Sequence, residues 1–315
     1  MIRKPRFQRT ASDQVLQFTP RDREILQHVA THRFLSSRQI LALVGGSTQH
    51  VLKRLQRLFH DGYLDRPRAQ LRYFSEEKPQ PIVYALGRAG SRMLEKPGRK
   101  RSRYDNRNIK QLYLQHTLLV ADVMTAFVRA CRASGRPRLL TEEQLAEASD
   151  NRQTFRWSVT VREGKDSRRV GVVPDRTFAL ESRATNERVV FFVEADRATM
   201  PLTRGSLTQS SLLRKLLAYE ATWREQVPKE RFGAARLRVL LVTTSPERAT
   251  HLAEMCAKLP HGRGIFLVTD AETLASATAE GAAGDVFELP WLSAGGGTEK
   301  LSGLWTTPVG QKRAA

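Results

Sequence analysis

The chain has 315 residues, 52 Lys and Arg against 32 Asp and Glu, and two cysteines, Cys131 and Cys256. That length predicts about two domains with cores that stand without cross-links, and two cysteines exclude a disulfide scaffold or a cysteine-built zinc site and fit a reducing cytosol. A net charge of +20 points to a polyanion, nucleic acid first and an anionic membrane surface second, whereas no apolar run reaches the roughly 18 residues of a membrane span and the basic start MIRKPRFQRT has no apolar stretch behind it to make a secretory signal.

The charge is uneven. Residues 1–110 carry 24 of the basic and 9 of the acidic residues, which is +15 of the +20. This asymmetry predicts a nucleic-acid module followed by a near-neutral domain. Thr19 before Pro20 is an N-cap with proline at the first helical position, and Ile25, Leu26 and Val29 make an apolar face, so residues 20–32 read as a helix. Ser37 is the expected cap of a second helix carrying Ile40, Leu41 and Val44, ended by Gly45-Gly46. Ser47 opens a third, with Val51, Leu52, Leu55, Leu58 and Phe59 at helical spacing, stopped at Asp61-Gly62. Strand-like stretches follow at 63–64, 72–74 and 82–86. Three helices and a hairpin in this order predict a winged helix-turn-helix over residues 15–96. Its third helix would enter the major groove. Gln49 and Arg54 are types that pair bidentately with bases, Lys53 and Arg57 suit phosphates, and Thr48, His50 and Arg72 complete the expected DNA-contact set. The alternative is a solvated helix face that is merely basic.

A basic Pro/Gly-started segment, residues 97–108, reads as a linker. Residues 109–133 have a long helical pattern. Strands are expected at 155–161, 169–173, 177–180 and 189–193, a helix at 207–224, a strand at 237–242, a helix at 246–259, a strand at 265–268 and a short helix at 271–278. The order implies a mixed sheet flanked by helices over residues 109–292, an α/β domain within a chain that is α+β overall. From Ser293, through Ala294-Gly295-Gly296-Gly297, the chain reads as a flexible tail.

Two strand ends carry the chemistry: Val173-Pro174-Asp175, and Glu194-Ala195-Asp196 closing an apolar run. Asp175, Glu194 and Asp196 are the candidate ligands of one Mg²⁺ or Mn²⁺, an ion that binds through one or two carboxylates plus substrate phosphate and supplies a hydroxide for phosphodiester hydrolysis. The alternative is surface carboxylates paired with Arg176 or Arg197. His116, alone in an apolar helix, is either close to this cluster or an ordinary hydrogen-bonded residue. No GxxxxGK[ST] or GxGxxG occurs, no serine has the pattern of a hydrolase triad, and no tyrosine cluster accompanies a histidine triad.

Asp175 after Pro174 and Glu194-x-Asp196 resemble the PD-(D/E)xK nucleases. The whole chain over about residues 18–290 resembles the replication-relaxation family of bacterial plasmids and integrative elements, through Arg54-Leu55 and Leu58, Tyr84-Ala85-Leu86-Gly87-x-x-Gly90, His116, Val173-Pro174-Asp175, Glu194-Ala195-Asp196-Arg197-x-Thr199, and Lys215 followed by Tyr219. The resemblance implies a winged helix joined to a restriction-endonuclease-like domain, working on mobile-element DNA in replication or transfer. Where the nucleases have Lys two residues after Glu, this chain has Asp196, so the positive charge the chemistry needs would come from Lys215 in a displaced position. Three readings stay open: a DNA-binding protein whose nuclease-like domain regulates or assembles, a metal-dependent endonuclease using Asp175, Glu194 and Lys215, and a transcriptional repressor sensing a ligand. Expected partners are duplex DNA, with a second copy of the chain and mobile-element replication or transfer proteins left open, and no membrane.

Overall fold

The computed structural model describes residues 6–10, 16–75, 80–95, 106, 108–135, 137–148, 155–163, 166–197, 212–276 and 285–305. It is an α/β protein with two compact units, Met1–Thr125 and Ala126–Ala315. Most of the linker expected at 97–108 lies outside the described residues.

In the first unit, α1 (Pro20–His32) begins as its sequence dictates: Thr19 and Asp22 form a reciprocal capping box and Pro20 opens the helix. A short strand β1 (Phe34–Ser36) follows, then α2 (Ser37–Val44). The cap of α2 is Ser36 rather than the expected Ser37, because Gln39 at the third helical position bonds back to Ser36. The next helix, α3 (Thr48–His60), buries Val51, Leu55, Leu58 and Phe59. Leu52, expected on that apolar face, points out and is 44% exposed.

After α3 come β2 (Leu64–Asp65), a 3-10 helix (Arg68–Ser75), β3 (Val83–Leu86) and α4 (Arg88–Met93). The antiparallel sheet runs in the order β1-β3-β2. Residues 72–74 are therefore in the 3-10 helix and not in the expected strand. The physical reason is Gln70. Its buried amide accepts from Val83 N (2.8 Å) and donates to Val83 O (2.9 Å) and Pro67 O (2.9 Å), standing in beside β3 for a peptide group of a further strand. The glycines of the Gly87-x-x-Gly90 sequence have a plain role: a Cβ on Gly87 would lie 2.2 Å from Gly62 O and one on Gly90 2.3 Å from Tyr63 O. They let α4 lie directly on the turn that ends α3.

A 24-residue helix, α5 (Gln111–Ser134), runs across the division between the units. Its early residue Leu114 packs with Phe34, Val83 and Ala85. In the second unit, Phe127 meets Phe178 at a centroid distance of 4.8 Å and Phe191 at 5.7 Å.

The second unit continues with β4 (Pro137–Leu140), α6 (Glu142–Ala148), β5 (Trp157–Glu163), β6 (Asp166–Val172), β7 (Arg176–Ser182), β8 (Arg188–Asp196), α7 (Leu212–Arg224), α8 (Val227–Phe232), β9 (Arg236–Thr243), α9 (Pro246–Ala257), β10 (Phe266–Asp270), α10 (Ala271–Ser276), β11 (Trp291–Ser293) and β12 (Thr298–Glu299). Seven strands form one mixed sheet in the order β12-β11-β10-β9-β8-β7-β4, with β8, β9 and β10 mutually parallel in register and the rest antiparallel. Among the described residues β5 and β6 pair only with each other, apart from the main sheet. Their valines are needed instead to cover α7.

Val189 to Val193 on β8 are fully buried, as a strand covered on both faces requires. Val190 and Phe192 face the cluster containing Leu216 and Tyr219 of α7 and Leu252 of α9. The tail expected from Ser293 is ordered as far as residue 305: β11 and β12 make a hairpin with Gly296 and Gly297 at positive φ, and Ala294, Leu301 and Leu304 are buried. The glycines serve the turn and do not mark a disordered end. Residues 306–315 lie outside the described residues. Among the described residues no helix is long and apolar enough to cross a membrane.

Candidate functional site

Two groups of expected site residues can be built from the bottom up, one in each unit. On α3, the buried stripe holds the helix from behind and leaves Thr48, Gln49, His50, Leu52 and Lys53 exposed. Gln49, Leu52 and Lys53 lie at i, i+3 and i+4, a single outward face. Arg54 does not belong to it. Its Nε donates to Asp22 Oδ1 (2.5 Å), and one terminal nitrogen reaches both Asp22 Oδ2 and Gln17 O. Asp22 is fully buried and also accepts from Thr19 N (2.6 Å) and Thr19 Oγ1 (2.7 Å). Arg54 thus ties α3 to the cap of α1 instead of presenting its fork to a base. Arg57 pairs with Asp61 at 2.6 Å and stays partly exposed. Arg72 sits in the 3-10 helix, and its side chain lies outside the described residues.

In the second unit the acidic cluster stands where β8 ends. Glu194 and Asp196, two residues apart, share the face toward α7 and α9. Lys215 Nζ donates to one Glu194 oxygen and the Tyr219 hydroxyl to the other. The lysine and tyrosine are four apart on α7 and so lie on one helix face. Asp175, between β6 and β7, continues the strand pairing: its N–H donates to Val193 O (3.1 Å) and its Oδ2 accepts from Ala195 N (2.9 Å). Asp196 accepts from two nitrogens of Arg248, the second at 3.2 Å, and from Thr243 Oγ1 at 3.4 Å. Thr243 is the parallel neighbour of Asp196 on β9, and Arg248 is the third residue of α9 behind the cap Ser245. Arg176, one of the two arginines of the alternative reading, pairs with Glu142 at 3.4 Å.

Burial dominates the electrostatics. Glu194 is 2% exposed; burial raises its carboxyl from 4.5 to about 8, Asp175 adds to the rise, and Lys215 and Tyr219 oppose it. Burial pulls Lys215 down, but Glu194 and Asp175 more than offset it and leave the ammonium above its usual range. Tyr219, fully buried beside Glu194, is pushed well above 10. Lys215 keeps about a third of its side chain exposed, and Asp175 is also partly exposed.

Asp175, Glu194 and Lys215 lie in one cluster, and the carboxylates on which Mg²⁺ or Mn²⁺ is expected, Asp175, Glu194 and Asp196, are all engaged by protein donors. Both Glu194 oxygens are bonded to protein donors, Asp196 is drawn to Arg248, and among the described residues no group of three or more His, Cys, Asp or Glu is placed to hold a metal ion. Lys215 and Arg248 form ion pairs with Glu194 and Asp196. Tyr219, Thr243 and Arg248 have roles here that spacing did not reveal.

The first unit thus combines a three-stranded antiparallel sheet with an exposed, mostly polar face of α3, and the second a mixed sheet with a buried acid–lysine–tyrosine cluster. A family model described as Replication-relaxation matches residues 26–236, more than half of the chain; the match includes α3 and Asp175, Glu194, Asp196, Lys215 and Tyr219, and ends before Thr243 and Arg248. The chain belongs to the replication-relaxation family, which associates it with plasmid or mobile-element replication or transfer. No curated protein and no solved structure matched it.

Proposed function

We propose that the protein binds duplex DNA of a plasmid or integrative element in the cytoplasm, on the nucleoid. The first unit acts as a winged helix with α3 as its recognition helix, and the second unit is a nuclease-like domain that regulates or assembles and does not cut. The observation that carries this reading is the outward face of α3. Gln49 offers a bidentate amide to adenine, Leu52 an apolar contact for a thymine methyl, and Lys53 a phosphate contact, with Thr48, His50 and Arg57 beside them. The concentration of charge in residues 1–110 supplies the sequence-independent attraction. The self-satisfied carboxylates of the second unit favour binding over hydrolysis.

The test is duplex affinity across a salt series. With roughly six phosphate contacts, affinity falls about a thousandfold between about 50 and 200 mM salt. Lys53→Ala lowers the slope of that dependence by about 1, and Gln49→Ala relaxes preference between sequences. A flat salt response contradicts the reading.

One observation favours a second reading, metal-dependent cutting by Asp175, Glu194 and Asp196 with Mg²⁺ or Mn²⁺: Lys215 does reach Glu194, as a displaced catalytic lysine would. Metal-dependent nicking of plasmid decides between the two.

A further inference from the structure

The β5–β6 hairpin has a face that neither reading uses. Residues Trp157, Val159, Val161, Val170 and Val172 turn inward and join the core that includes α7. The alternate residues turn outward in cross-strand pairs: Ser158 opposite Gly171, Thr160 opposite Arg169, Arg162 opposite Ser167. All six are exposed; Arg168, opposite Val161, belongs to the other face and is exposed beyond the end of the core. A Cβ at Gly171 would meet nothing within 4 Å, so that face is open. The edge is pinned from α7 and the residue after it: Glu225 Oε1 accepts from Thr160 N (2.9 Å) and Arg224 donates to Thr160 O (3.1 Å). The hairpin is a supported two-stranded platform.

Its chemistry is one-sided. Residues 156–173 hold five basic and two acidic side chains, and the two acids, Glu163 and Asp166, are opposite each other at the hairpin end. The six outward residues include no carboxylate. Among the described residues, Arg162, Arg168 and Arg169 enter no ion pair. Arginines, small hydroxyls and a glycine suit phosphate oxygens and a close backbone approach, and a two-stranded ribbon has the width of a major groove. β6 then runs through Val173 and Pro174 into Asp175.

We infer that the outward face of β5–β6 is a second DNA-contact surface, which takes the sugar-phosphate backbone of duplex DNA through Arg162, Arg169, Ser158, Thr160 and Ser167. The inference rests on the reading that the chain binds duplex DNA, and it assigns a contact outside α3.

The test measures duplex affinity by fluorescence anisotropy over a salt series with the full chain, comparing wild type, Arg162→Ala/Arg169→Ala and Arg162→Lys/Arg169→Lys. Removing two phosphate contacts lowers the slope of log affinity against log salt by about 1.8, and the lysine variant restores most of it. The thermal transition stays in place for both, because the two side chains point into solvent. An unchanged slope in the alanine variant, with wild type binding normally, overturns the ribbon and leaves α3 standing. A wild type that does not bind duplex overturns both. A loss on single-stranded RNA of the same length, with none on the duplex, overturns the assignment to DNA.

Discussion

Arg54→Ala destabilises the first unit by about 3–5 kcal/mol, the usual cost of removing one partner from a buried ion pair. The large effect arises because the Asp22 carboxylate that remains is fully buried. Without Arg54 it keeps only its bonds to the Thr19 N–H and hydroxyl. The sign of the pH dependence follows from the same groups. Burial raises the Asp22 carboxyl, Arg54 and Thr19 lower it further than burial raises it, and it ends below 3.8. A depressed carboxyl contributes stability above its unfolded value and loses it as pH falls through its folded value. The deficit of the variant is therefore fully present at neutral pH and shrinks on acidification below about pH 4. Urea unfolding at neutral and acid pH measures it. An unchanged midpoint at neutral pH would return Arg54 to the DNA-reading set, where loss of the side chain costs affinity and not stability.

In the second unit, stability falls as pH rises from about 4.5 to about 8. Over that interval the folded chain keeps a proton on Glu194 that the unfolded chain has released. A carboxyl raised in the folded state contributes most below its unfolded pKa and loses that contribution as pH climbs through the folded one. The loss is on the order of 1 kcal/mol per pH unit inside the window, and it falls on a residue that is 2% exposed. Glu194→Gln, which stays neutral and keeps one acceptor oxygen where the carboxylate has two, flattens the dependence. Lys215→Met removes the cation that opposes the rise and moves the end of the window to higher pH. Urea midpoints measured at several pH values for the three proteins check this, and parallel curves for wild type and Glu194→Gln would contradict the cluster described here.

What the sequence revealed divides along physical lines. Helix starts were legible where capping is local: Thr19, Pro20 and Asp22 set α1 within four residues. The buried strand under Glu194 was legible because Val189 to Val193 is an unbroken apolar run, and Lys215 was placed beside Glu194 through the family resemblance. Contacts made across the fold left no periodic signal. Gln70 takes the place of a strand through a pair of hydrogen bonds to Val83; Arg248 reaches Asp196 from 52 residues away. Arg54 reads as a base-contacting type, and only the three-dimensional position of Asp22 shows that it is committed elsewhere. The glycines at 295–297 suggested disorder when they make a turn, because the burial of Leu301 and Leu304 that secures the hairpin depends on tertiary packing.

The central claim is that this member of the replication-relaxation family docks on duplex DNA and leaves it uncut. Supercoiled plasmid incubated with the protein and Mg²⁺ or Mn²⁺, beside an Asp175→Ala control, tests it most directly. The account predicts a mobility shift that salt abolishes and plasmid that stays supercoiled in both samples. Nicking that requires the metal and disappears in Asp175→Ala would contradict it and make the cluster around Glu194 an active site.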